Sequence, residues 1–193
     1  MTVEQVAALM ADFDAPWWVA GGWAIDLFLG RKTREHADLD IAILRADQPA
    51  LARLLAGWDV QVATGGVLTP WRPGDWLEGG VRHQFWARLG PTEPWAIEIL
   101  LEEGDRDRWT YRRDDRISLP LPLFGAASAS GVPCVAPEVA LLYKAGGHGI
   151  PRNAADFETA APSLAPERRV WLAQALRLTD RRHPWVERLQ PAR

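Results

Sequence analysis

Trp17-Trp18-Val19-Ala20 is a short apolar run stopped by Gly21-Gly22, the pattern of a buried strand entering a tight turn. Trp23 to Leu29 then predicts a helix, closed by Gly30. After a basic loop comes Asp38-Leu39-Asp40-Ile41-Ala42-Ile43, whose strict alternation predicts a second strand. A strand, a diglycine, a helix and then a strand bearing paired aspartates form an order far more specific than any of its parts.

Upstream, Val3, Val6, Ala7, Met10 and Phe13 recur at helical spacing, predicting an amphipathic helix that ends near Asp14-Ala15-Pro16. Downstream, Asp47-Gln48-Pro49 predicts an N-cap and a helix through Leu55 to Gly57, and Trp58 to Ala63 a strand. The segment from Gly65 to Gly80, rich in glycine, proline and aromatics, reads as an irregular loop or lid. Val81 to Leu89 and Trp95 to Leu101 alternate and predict an antiparallel pair across Gly90-Pro91. Trp109 to Arg113 and Arg116 to Leu119 flank Asp114-Asp115 as a further hairpin. Beyond the Gly/Ser/Ala-rich stretch Gly125 to Gly131 the texture turns helical, with helices expected from Pro137, over 153–161 and over 166–178. The expected class is α+β: a mixed sheet flanked by helices in residues 1–124, then a helical C-terminal part in residues 125–193.

The length of 193 residues suits one compact domain or two small ones sharing a core. A formal net charge of -3 and a pI near 5.8 argue against a sequence-independent grip on nucleic acid. The single cysteine, Cys134, excludes an internal disulfide framework and cysteine-rich zinc sites, and reads as inert. No apolar run approaches the roughly 20 residues of a membrane span. The opening residues lack the features of a signal peptide, so a cytoplasmic protein without a membrane partner is expected. The 11 tryptophans read mainly as packing. Lys32 and Lys144 are the only lysines beside many arginines, which draws attention to Lys144.

Asp38 and Asp40 stand two apart on their strand, so both carboxylates are expected on one face, with roots roughly 7 Å apart. At an effective dielectric near 20 two such charges repel by roughly 2–3 kcal/mol, a sign that a divalent cation reverses. A strand end meeting solvent or an arginine is the structural alternative. Glu98 is the one charge in the apolar run Trp95 to Leu101, and a buried carboxylate needs a partner or a metal. Arg88 could be that partner; a neighbouring-strand carboxylate is also where a two-metal site finds its third ligand. Gly21 and Gly22 would let backbone N–H groups approach phosphate at a helix N-terminus.

From Gly21 to Asp40, with Leu29-Gly30-Arg31-Lys32-Thr33-Arg34-Glu35-His36-Ala37 between, the chain resembles aminoglycoside 2''-nucleotidyltransferases and the related lincosamide nucleotidyltransferases. These belong to the DNA polymerase β-like nucleotidyltransferase superfamily. Trp95 to Leu101 resembles the family's third-carboxylate strand. Pro137-Glu138 through Lys144-Ala145, then Asp156-Phe157, resemble its C-terminal helices. The resemblance implies a nucleotidyltransferase-type fold and two-metal transfer of a nucleoside monophosphate, usually from ATP, to a hydroxyl. Asp38, Asp40 and Glu98 would hold Mg²⁺, with Glu98 either completing the metal shell or accepting the hydroxyl proton. Gly21, Gly22, Arg34 and Lys144 would meet the nucleotide.

Alternatives stand beside several of these roles. Asp26, Arg31 and Arg34 could instead close the helix onto the loop, His36 could orient the turn before Asp38, and Lys144 could simply snorkel from its helix. Arg152-Asn153 departs from a basic–acidic pair common in the family, and glutamate replaces the usual third aspartate. The implied partners are a nucleoside triphosphate and a small hydroxylated acceptor. A minimal nucleotidyltransferase of toxin–antitoxin type acting on protein or RNA, and a non-catalytic nucleotide-binding module, are the competing readings. An acidic rim of Asp26, Asp75 and Glu78 would suit a polycationic aminoglycoside; Trp71, Trp76 and Trp86 would suit a lincosamide.

Overall fold

In this computed structural model residues 1–72 and 74–190 are described; Pro73 of the expected loop and residues 191–193 of the expected helical part lie outside them. The chain forms α1 (Val3–Met10), β1 (Trp17–Val19), α2 (Gly21–Leu29), β2 (Asp40–Leu44), α3 (Gln48–Leu54), β3 (Asp59–Thr64) and β4 (Val67–Pro70). Then come β5 (Gln84–Arg88), β6 (Ile97–Gly104), β7 (Arg108–Thr110), β8 (Ser118–Pro120), α4 (Leu121–Phe124), β9 (Gly125–Ala127) and β10 (Pro133–Val135). The helices α5 (Pro137–Ala145), α6 (Pro151–Ala160), α7 (Pro166–Thr179) and α8 (Trp185–Arg188) complete it. No described helix is long and apolar enough to cross a membrane.

The strands join in the order β4-β3-β5-β6-β2-β1-β10-β9, with β7 pairing β6 and β8. β2 runs parallel to β6 and β1 parallel to β10, while the other pairs are antiparallel. The sheet is therefore mixed, as expected for this α+β class. β2 lies inside it, and Ile41, Ala42, Ile43 and Leu44 are all buried. Both faces of this strand are covered, so its apolar run overrides the strict alternation expected of it. Thr2 and Gln5 form a reciprocal capping box that starts α1, and Val3, Val6 and Met10 turn into the core.

Four local expectations change. Gly21 and Gly22 are not a turn before the helix but its first two residues. Asp47 makes no cap bond; its carboxylate is taken by Arg106 at 2.5 and 2.9 Å, a charged donor that outcompetes backbone N–H groups. The 65–80 segment contains β4, whose residues are all exposed and so carry no alternation to read. The sheet also crosses the expected division at 124/125: β9 and β10 extend it beside β1, and the uninterrupted helical run begins only at Pro137. Small residues make these strands look like linker; at Gly125 the Trp18 ring leaves no room for more, since a Cβ there would stand 2.1 Å from its Nε1.

α5 packs against α2, α6 and α7, and places the C-terminal helices beside the start of the diglycine helix. Glu138 takes both its oxygens to Arg168 of α7, at 2.7 and 2.8 Å. Phe157 of α6 stacks on Trp185 of α8 with ring centroids 4.2 Å apart. Trp109 is fully buried against Phe124, and Trp18 meets Phe124 edge-on, so much of the tryptophan content is indeed packing.

Candidate active site

Parallel pairing of β2 with β6 sets Asp40 directly opposite Glu98. Asp38 lies outside the strand, in the exposed segment that precedes it, so the two aspartates do not share a strand face as expected. Pairing nevertheless reaches back to Leu39, whose carbonyl accepts from the Glu98 N–H at 3.1 Å, and this anchors Asp38 over the same corner. One carboxylate oxygen from each of Asp38, Asp40 and Glu98 lies within 4.8 Å of the others. The Gln84 amide donates to Oε1 of Glu98 at 2.5 Å. Arg88, the structural alternative, is elsewhere: it pairs with Asp59 at 2.6 Å and lies over the Trp95 ring.

The diglycine makes this corner possible. Gly21 has φ +62°, and a Cβ there would stand 2.0 Å from Oδ2 of Asp40. A Cβ on Gly22 would stand 2.3 Å from the Arg34 guanidinium and 2.6 Å from the His36 ring. Two residues without side chains thus let an acid and two bases close on the first turn of α2, where early N–H groups have no intrahelical partner.

Several other half-buried and buried acids find cations: Asp156 has Arg34 and Lys144, Glu138 has Arg168, Asp59 has Arg88 and Glu103 has Arg45. Among the described residues none of Asp38, Asp40 and Glu98 makes an ion pair. Burial, and then the charge of Asp38, push the Asp40 carboxyl up to about 6, against the pull of Lys144, the Glu98 carboxyl and Arg152. Burial and the charges of Asp40 and Asp38 push Glu98 to about 8. At neutral pH without a cation, Glu98 then keeps a proton that it can donate to Asp40. Three converging hard oxygen donors without an ion-pair partner among the described residues fit a divalent cation such as Mg²⁺.

A pH signature follows. The folded chain keeps protons on Asp40 and Glu98 that the unfolded chain has already released at ordinary carboxylate values. These two groups therefore lower stability progressively as pH rises from about 4 to about 8. His83 and His183, held below their ordinary value chiefly by burial, act in the opposite direction. The carboxylate part is isolated as the difference in thermal midpoint between wild type and Glu98→Gln in chelator. That difference is expected to grow in favour of the variant from pH 5 to pH 8 and to shrink when Mg²⁺ is added. A constant difference would contradict the assignment.

The basic loop between α2 and β2 is held by two acids. Asp26, buried, accepts from Thr33 N–H (3.1 Å) and Oγ1 (2.5 Å), and meets His36 Nε2 at 2.6 Å. This is the structural closure weighed for Asp26, and it removes Asp26 from any acidic rim. His36 also packs against the Trp23 ring, with centroids 4.6 Å apart and the planes tilted by 32°. Arg34 donates to both oxygens of Asp156, at 2.8 and 3.0 Å, and Lys144 reaches the same carboxylate at 2.8 Å. Asp75 is bound to the Arg72 N–H in its own loop, and so is engaged away from the cluster.

Two cavities meet at Glu98. One, of about 250 Å³, lies under α5 and is lined by Gly21, Glu98, Leu100, Glu102, Arg112 and Lys144 among others. The second, of about 350 Å³, is lined by Trp23, His36, Asp38, Trp86, Trp95 and Glu98. The expected wall of Trp71 and Trp76 is absent from it: Trp71 packs on Phe85 at 4.6 Å, and only Trp86 of the three takes part. Sequence reasoning also missed Glu102, which is buried and accepts from Trp109 Nε1 (2.7 Å) and the Tyr143 hydroxyl (2.5 Å). Burial pushes its carboxyl up. The period of two from Glu98 through Leu100 was the available signal.

The chain is an α+β protein with three carboxylates gathered where β2 pairs with β6. Residues 2–73 match the family model described as aminoglycoside-2''-adenylyltransferase. A 2''-aminoglycoside nucleotidyltransferase of Klebsiella pneumoniae is 38% identical over 58 residues, covering 28% of this chain and 33% of that protein. One from Escherichia coli is 36% identical over the same length and coverage. The sequence match thus spans about a third of these relatives. The fold agrees over far more of the chain. The crystal structure of ANT(2'')-Ia in complex with adenylyl-2''-tobramycin has a TM-score of 0.60 at 19% identity, covering 92% of this chain and 96% of that one. Lincomycin-bound LnuA, a lincosamide antibiotic adenylyltransferase, has 0.57 at 18%, covering 82% and 93%. In sequence over residues 2–73 and in fold over most of its length, the chain resembles the aminoglycoside and lincosamide nucleotidyltransferase family.

Proposed function

We propose that this chain transfers a nucleoside monophosphate, from ATP, to a hydroxyl of a small acceptor of the aminoglycoside or lincosamide type. The observation that carries the reading is the trio Asp38, Asp40 and Glu98, whose oxygens converge within 4.8 Å with no ion-pair partner among the described residues. These three would hold two Mg²⁺, which when bound neutralise phosphate charge and align the reacting oxygens. The bond from the acceptor oxygen to the α-phosphorus forms as the bond to pyrophosphate breaks. Glu98, its Oε1 held by Gln84 and its side chain lining both cavities, would complete the metal shell or accept the hydroxyl proton. The first N–H groups of α2, at Gly21 and Gly22, would meet phosphate, with Lys144 and Arg34 adding positive potential beside them.

The cavity under α5 carries the cations and suits the nucleotide; the cavity with three tryptophans and Asp38 suits the acceptor. Tryptophan faces against sugar rings, with a carboxylate for ammonium groups, favour an aminoglycoside over a lincosamide. The test is transfer of label from α-labelled ATP to a panel of both classes, with Mg²⁺ or chelator, at low and high salt. Chelator-sensitive transfer to aminoglycosides that weakens with salt is expected. Salt-independent transfer to lincosamides alone would reverse the acceptor preference, and transfer to neither class would remove antibiotics as acceptors.

A further inference from the structure

Arg112 is the one arginine whose surroundings do not explain it. Most arginines of this chain are at the surface. Of those wholly or partly buried, Arg34, Arg45, Arg88 and Arg168 each pair with a carboxylate. Arg169 donates to the Leu164 and Pro162 carbonyls. Arg112, also half-buried, makes neither an ion pair nor a hydrogen bond among the described residues. Its guanidinium carbon is 5.8 Å from the centroid of the Tyr143 ring, near the limit of a cation–π contact. Burial and the neighbouring charge of Arg113 both work against its protonated form. Tyr143, Glu102 and Tyr111 favour its charged form without pairing with it; burial raises the Glu102 carboxyl, and Trp109 and Tyr143 occupy it. A half-buried guanidinium of this kind is a charge held ready for an anion.

The cavity says which anion. Glu98, Leu100 and Glu102 lie on its β6 wall, a run of about 13 Å at the usual rise per strand residue. Glu98 of the acidic corner, Gly21 and Lys144 line the same cavity as Arg112 and Arg113. A ligand must be anionic at the Arg112 position and must still present a reacting group to the carboxylates. We propose that Arg112 binds the terminal phosphates of the nucleoside triphosphate, and so holds the pyrophosphate that departs. This rests on the nucleotidyltransferase reading and adds a phosphate-binding residue to it. The guanidinium fork suits phosphate oxygens, and a lysine cannot reproduce it.

Binding, without turnover, separates the two readings. Affinities for ATP, inorganic tripolyphosphate and adenosine would be measured by calorimetry in Mg²⁺ buffer for wild type, Arg112→Gln and Arg112→Lys. Arg112→Gln is expected to weaken both ATP and tripolyphosphate about tenfold, as loss of a charge-assisted contact implies. Arg112→Lys should recover part of this, and adenosine binding should stay unchanged. Wild type that binds no ATP would bring down the nucleotidyltransferase reading itself. Wild type that binds ATP, with tripolyphosphate affinity unaltered in Arg112→Gln, would overturn the role of Arg112 alone. Weakened adenosine binding in that variant would likewise overturn it, in favour of a contact with the base.

Discussion

Asp40→Asn is expected to lower turnover at least about 100-fold, equivalent to about 2.7 kcal/mol or more of transition-state stabilisation. Asp40 is the inner member of the cluster, between the first turn of α2 and Glu98 on the next strand. The amide keeps the shape and the packing against Gly21 but removes the charge that a divalent cation needs. Loss should therefore fall on turnover rather than on acceptor affinity. Stability should move the other way. Because burial and Asp38 already disfavour the ionised Asp40, the variant should melt at a higher temperature than wild type in chelator above pH 6. Label transfer and calorimetry on the same preparations check both halves. Near-normal turnover would remove the cluster from the chemistry.

Gly21→Ala should produce a loss of similar size, about 100-fold, without touching any acidic residue. The methyl would stand 2.0 Å from Oδ2 of Asp40, and that short side chain can yield only by rotating away from Glu98 and Asp38. The backbone at φ +62° adds a strain of roughly 1–2 kcal/mol for any residue with a Cβ. Gly30 supplies the comparison. It has φ +66° at the end of the same helix, yet a Cβ there meets nothing within 4 Å. Gly30→Ala should thus lose similar stability and keep its activity. If both variants keep activity, the close approach of Gly21 to Asp40 has no catalytic meaning; if both lose it, backbone strain alone is responsible.

Much of this was legible because the signals were local. The apolar run at Trp17, the diglycine, the C-cap at Gly30 and the acidic strand lie within one short stretch, and each has a backbone reason. The β5–β6 hairpin was legible from alternation, and with it the placing of Glu98 on a half-buried face. What was not legible depended on distant partners. Parallel pairing of β2 with β6 leaves no mark on either strand, yet it sets Asp40 beside Glu98. The carboxylate that holds Arg34 comes from α6, more than a hundred residues away in the chain. Asp47 has the look of a cap and is instead the acceptor for Arg106. Trp71 is in an aromatic loop but fills the core, whereas Trp23 and Trp95 reach the cavity from elements read as packing. Arg112 went unnoticed because one arginine among many has no pattern; only its lack of a partner marks it out.

The neighbours of β1 and β2 bear on how the chain must be made. The stretch that matches the family, residues 2–73, holds both strands, but β1 needs Cys134 of β10 beside Val19, and β2 needs β6. During synthesis from the N-terminus, the outer edge of β1 waits for the ribosome to release β10, and Arg34 waits longer still for Asp156. Expressed alone, that stretch would leave two apolar strands with bare edges, ready to pair with other copies and aggregate. The segment by which the chain is most readily recognised is the one that can least be cut out and studied by itself.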